Sequence, residues 1–229
     1  AEHHRVLRAV CDQHRREIGC EDVTMRNSFI RASDDCVCIK AASYPDPAAN
    51  RNVKNILVEH CVLWNAEPGN AVEIGYEVRC DEISDITFRD LDIVHCEYEG
   101  NQSGGVLTIH NADRAHIHDI VYEDIRVEDA QEKFVDIKVL DSKYSLDRKR
   151  GSVENIYFRN VEILNGNFPV SIIRGFEMHT EMSRPRNIYF DNVVVLGKQV
   201  ESPSDLHMVV ELSDDILFNG TAHAKRNPF

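Results

Sequence analysis

The stretch Asn155-Ile156-Tyr157-Phe158-Arg159-Asn160 recurs at Asn187-Ile188-Tyr189-Phe190-Asp191-Asn192, and this recurrence decides the fold. Working outward, the same pattern stands at Asp119-Ile120-Val121-Tyr122-Glu123-Asp124 and Asp85-Ile86-Thr87-Phe88-Arg89-Asp90. Two earlier copies are Asn55-Ile56-Leu57-Val58-Glu59-His60 and Asp22-Val23-Thr24-Met25-Arg26-Asn27. Intervals between the aliphatic anchors are 33, 30, 34, 36 and 32 residues. Within each copy apolar and polar residues alternate, the period of a strand whose successive side chains face opposite ways. The polar column Asn27, His60, Asp90, Asp124, Asn160 and Asn192 predicts a bend where one strand ends and the next begins. A further strand closes the repeats, at Val37-Cys38-Ile39-Lys40, Val72-Glu73-Ile74-Gly75, Leu107-Thr108-Ile109-His110, Val135-Asp136-Ile137-Lys138 and Val170-Ser171-Ile172-Ile173. Repeats of this length without helix-period segments cannot be alternating strand-helix units. Stacking them gives an all-β chain, a parallel β-solenoid of about six coils with like residues in ladders.

The repeat fills residues 22–212. Residues 1–21 do not fit it, residues 213–229 read as a polar tail, and the absence of an evident N-terminal cap suggests a chain that begins inside a longer solenoid. With 229 residues and 42% hydrophobic content the chain can build one continuous core. No apolar stretch reaches bilayer length, so a soluble chain without a membrane partner is expected. A formal charge of -13 argues against nucleic acid, whose phosphates demand a concentrated basic surface. Basic residues do crowd at Arg5 to Arg16 and at Lys143 to Arg150, and both clusters read as solvated charge. Seven cysteines, an odd number without metal-knuckle spacing, read as free thiols packed as small hydrophobes.

One edge of the first repeat breaks the alternation with a charged doublet, in Ile30-Arg31-Ala32-Ser33-Asp34-Asp35-Cys36-Val37-Cys38-Ile39-Lys40. Two adjacent anions in a packed edge repel, which costs stability unless they are solvated or one keeps its proton for acid/base work. Equivalent turns in later repeats carry no such pair. In the closing strands Cys38, Glu73, Thr108, Asp136 and Ser171 are expected to form an exposed outward column. Lys40, Gly75, His110 and Lys138 follow two residues on, together making a groove of acids and hydrogen-bond donors suited to a sugar chain. Trp64 reads either as a sugar-stacking aromatic or as core, and His116 with His118 as a solvated pair lacking the third ligand of a metal site.

This doublet, set in a solenoid of this period, resembles the double-aspartate motif of the polygalacturonase-like glycoside hydrolases, family 28. The resemblance implies a right-handed parallel β-helix that hydrolyses O-glycosidic bonds with inversion, without metal or cofactor, in a secreted or periplasmic protein. It implies Asp34 as the general acid, Asp35 as a carboxylate activating water, and a third carboxylate near Asp12. The family's Gly-His-Gly motif falls on Gly69-Asn70-Ala71, without the histidine. Its Arg-x-Lys clamp for the uronate carboxylate falls on Thr108-Ile109-His110, so His110 stands where the lysine would be. Substrate contacts are then expected from Lys40, Asn70, Glu73, His110 and Lys138, on a polysaccharide or oligosaccharide that does not need the cationic clamp. A non-catalytic carbohydrate-binding or structural β-helix is the alternative, and a polysaccharide lyase the third reading.

Overall fold

A computed structural model describes residues 19–41, 50–66, 68–97 and 104–222. The chain is a parallel β-solenoid, as the repeat predicts, with about five turns where about six coils were expected. Its larger sheet stacks β1 (Glu21–Arg26), β4 (Val53–Asn65), β6 (Glu82–Cys96), β8 (His116–Val127), β10 (Ser152–Ile163), β14 (Arg186–Val195) and β17 (Asp214–Phe218), with β2 (Phe29–Ala32) beside β4. The second sheet stacks β3 (Val37–Ala41), β5 (Val72–Val78), β7 (Gly105–Asn111), β9 (Lys133–Val139), β11 (Ile172–Arg174) and β16 (Val209–Glu211). A short hairpin, β12 (Phe176–Met178) with β13 (Glu181–Ser183), interrupts the late turns, while β15 (Lys198–Gln199) and β18 (Thr221–Ala222) fold back antiparallel. No helix among the described residues is long and apolar enough to cross a membrane.

Register follows the sequence columns. Ile56, Ile86, Ile120, Ile156, Ile188 and Ile216 sit in one buried row. Two residues on, Phe88, Tyr122, Phe158, Phe190 and Phe218 stack down the core with ring centroids 5.1, 4.9, 4.7 and 4.7 Å apart. That spacing is the inter-strand distance itself, so near-parallel rings are what identical side chains on successive rungs must form.

The polar columns differ from expectation. Asn160 and its counterparts bend the chain in the left-handed region, as do Asn155 and its counterparts five residues earlier, all with φ between 49° and 58°. Yet β4, β6, β8 and β10 run through both bends without ending. A single left-handed residue redirects the chain without removing its amides from the ladder, and Asn and Asp adopt that conformation at least cost. Their side chains also pair down the stack, Asn192 Nδ2 donating to Asn160 Oδ1 at 2.9 Å and Asn160 Nδ2 to Asp124 Oδ1 at 3.0 Å.

Three further expectations are corrected. Residues 214–218 are not tail but a seventh rung, Ile216 facing Ile188 and Phe218 facing Phe190. In the last closing strands Ile172, not Ser171, follows Asp136, because Ser171 turns its Oγ to accept the Val135 N–H at 3.3 Å. Finally, Cys20 is disulfide-bonded, whereas Cys36, Cys38, Cys61, Cys80 and Cys96 are free.

Candidate functional site

The turn from β2 to β3 carries the carboxylate pair, and the next rung shapes it. Gly69, at φ 114°, lies so close to the Asp34–Asp35 peptide that a Cβ there would come within 2.5 Å of Asp34 C and Asp35 N. Only glycine combines that backbone angle with that approach. Asn70 then points at Asp35, giving Oδ1 its backbone N–H at 3.0 Å and its Nδ2 at 2.7 Å. Asn70 is itself oriented because its Oδ1 accepts the Gly105 N–H at 2.9 Å. Asn65 Nδ2 fixes the Asp34 carbonyl at 3.0 Å.

The two carboxyls diverge. Asp34 is exposed and folds back, its Oδ1 accepting the Asp35 N–H at 2.8 Å. Asp35 reaches across to the next rung and is half-buried. Burial, and then the charge of Glu73, push the Asp35 carboxyl up to about 6, against the hydrogen bonds from Asn70 and the Cys38 thiol. Burial and that neighbouring charge favour the protonated form of Asp35.

The expected exposed column is instead interior. Glu73 is 1% exposed and Thr108, His110 and Asp136 are 0% exposed, so the groove predicted along this face is closed. Partner geometry gives the reason. Glu73 accepts from the Thr108 hydroxyl and from His110 Nδ1 at 2.9 and 3.0 Å. His110 Nε2 lies 3.4 Å from Asp136 Oδ2, and that oxygen also takes Lys138 Nζ at 2.8 Å and faces Lys133 Nζ at 3.6 Å. Tyr76 lies on the imidazole with ring centroids 4.5 Å apart, and Tyr144 leans on Tyr76 at 5.4 Å. Although burial works against the imidazolium, Glu73 and then Asp136 push His110 up to about 9. Burial likewise opposes the Asp136 anion, yet His110 and Lys138 hold its carboxyl below the usual range.

Among the predicted contacts, Asn70 stands at the pair, Lys40 is exposed and ion-paired to Glu77 at 2.9 Å, and Glu73, His110 and Lys138 belong to the buried line. Asp12 lies outside the described residues. Trp64 neither fills the core nor offers a face: Arg31 covers one side at 4.4 Å and His95 stacks at 5.1 Å. His116 and His118 are tied to Glu154 at 2.7 Å and Asp119 at 2.7 Å, and no group of His, Cys, Asp and Glu among the described residues is arranged to hold a metal ion. Sequence reasoning placed Gly69 in a motif position without its packing role, and missed Asn65 and Lys133, which carried no signal.

No protein-family model matches the chain, and no curated protein does.

Proposed function

We propose that this protein hydrolyses O-glycosidic bonds of a polysaccharide by an inverting acid/base mechanism, with Asp35 protonating the leaving oxygen and Asp34 activating water. The roles are exchanged relative to those the family resemblance implies. The observation that carries the reading is the divergence of the doublet into unlike environments. Asp35 is a partly buried carboxyl held up to about 6, beside an exposed Asp34. A carboxyl raised by burial beside another that faces solvent is an arrangement from which acid and base roles can divide. Inversion requires about 6.5–9.5 Å between them for the water, which adjacent residues reach only when their side chains point apart.

The same geometry favours a sugar unit without a carboxylate at the cleavage position. Lys40, His110 and Lys138, the candidates for an anionic clamp, are each committed to a protein carboxylate. A disulfide at Cys20 fits a secreted or periplasmic protein. A non-catalytic carbohydrate-binding solenoid is the second reading, favoured by the closure of the face that holds Glu73, His110 and Asp136.

A panel of neutral and acidic polysaccharides decides. New reducing ends without ultraviolet absorbance from unsaturated products support hydrolysis, and proton NMR of the first product gives its anomeric configuration. Asp35→Asn and Asp34→Asn should each lower the rate by about 100- to 10,000-fold. Absorbance would indicate a lyase, and binding without products the second reading.

A further inference from the structure

Nearly every polar group of Asn70 is engaged around the turn that carries the carboxylate pair. Its backbone N–H and its Nδ2 both donate to Asp35 Oδ1, at 3.0 and 2.7 Å. Its carbonyl accepts the Cys36 N–H at 3.0 Å. The orientation of its amide is forced, because the Gly105 N–H can only donate: the atom 2.9 Å from it is Oδ1, and the NH2 faces Asp35. The third rung delivers that N–H through a glycine whose Cβ would stand 2.8 Å from Thr108 Cγ2 and 3.0 Å from the Lys133 carbonyl oxygen. Asn70 is 5% exposed, behind Asp35 rather than beside a substrate.

Two donors on one oxygen make the two oxygens of Asp35 unequal. A carboxyl oxygen offers two lone pairs, and Oδ1 has both engaged by N–H groups. A proton on Oδ1 would have to displace one of those donors, whereas a proton on Oδ2 displaces neither. We propose that Asn70 is a positioning residue, that Oδ1 is the fixed end of Asp35, and that Oδ2 holds the proton passed to the leaving oxygen. This rests on the reading of Asp35 as the general acid. In that step the Oδ2–H bond breaks and its proton joins the glycosidic oxygen, which keeps the electron pair of its broken bond to the anomeric carbon. Water adds to that carbon and gives its proton to Asp34. The titratable groups around Asp35 are Asp34 on the same turn, the Cys38 thiol, Glu73, and Lys40 with its partner Glu77. The thiol also reaches the Gly75 carbonyl at 3.6 Å, and a protonated Oδ2 still keeps a lone pair for it.

Neutron diffraction from crystals in heavy water, below the Asp35 midpoint of about 6, locates the proton without substrate. Deuterium should stand on Oδ2 with Asn70 Nδ2 directed at Oδ1; deuterium on Oδ1 overturns the proposal. Two variants then test the role on a polysaccharide that the native protein cleaves. Asn70→Ala should lower kcat about 10- to 100-fold with KM unchanged, because the carboxyl is no longer held in place. It also removes a hydrogen bond that favours the carboxylate, so the alkaline limb of kcat should move to higher pH. Asn70→Asp keeps the shape and an acceptor for Gly105 but replaces the donor by an anion, and should lower kcat at least as far. An unchanged kcat, a raised KM with kcat intact, or a loss equal at every pH overturns the positioning role. Should neither variant fold, the place of the deuterium alone still decides. Deuterium on Oδ2 in a protein without glycosidase activity would uphold the fixed oxygen while removing the catalytic reading.

Discussion

At the scale of single residues the site depends on an absence and an amide. Gly69 supplies the absence: the Asp34–Asp35 peptide occupies the space where a Cβ would stand. Gly69→Ala should cost about 1–3 kcal/mol for the backbone angle alone, more once the peptide is displaced, and thermal melting checks it. Because Asn70 is carried by the same backbone, the variant should also loosen its two contacts to Asp35. The doublet itself was legible, since two adjacent acids in an alternating strand stand out as a local conflict. What raises the Asp35 carboxyl was not. That is burial and then the charge of Glu73, which is 38 residues from Asp35 in sequence and on the next rung.

Elements are specified redundantly. Each rung contributes an Ile, or Val23 in the first, a large apolar residue two positions on, and two left-handed Asn, Asp or His bends. In mid-stack Phe158 is wholly buried between Tyr122 and Phe190. Phe158→Ala should cost about 3–5 kcal/mol, the range for a large core deletion, whereas Phe158→Leu should cost much less; denaturant titration compares them. The seventh rung escaped the sequence reading because its interval from Ile188 to Ile216 is 28 residues and Leu217 replaces the tyrosine. The bends were legible as a polar column, but not their form. A polar residue between strands reads equally as a loop or as one left-handed step, and the φ of 52° and 53° at Asn160 and Asn192 inside unbroken strands settles it as a step.

For the whole molecule, the buried line makes stability depend on pH in a stated window. His110 folds with its midpoint raised from 6.5 to about 9, so its contribution is complete below about 6.5 and is lost as pH rises through about 9. Asp35, raised from 3.8 to about 6, acts in the same sense lower down: its contribution is present below about 4 and gone above about 6. The lowered carboxylates Glu59, Asp90 and Glu154 are outside this window, since their contributions fade only as pH falls through acid values. The melting temperature should therefore decline between pH 6.5 and 9, and His110→Gln should flatten that decline. An equally steep decline in the variant would remove His110 as its source. By itself the sequence determined the periodicity, the register of the larger sheet and the place of the carboxylate pair, because ladders of like residues repeat in one dimension as they stack in three. Tertiary structure alone decided which polar face is closed. Alternation separates the two faces of a strand but does not say what covers the polar one. That depended on charges from three rungs meeting across the strands and on Tyr76 lying over His110.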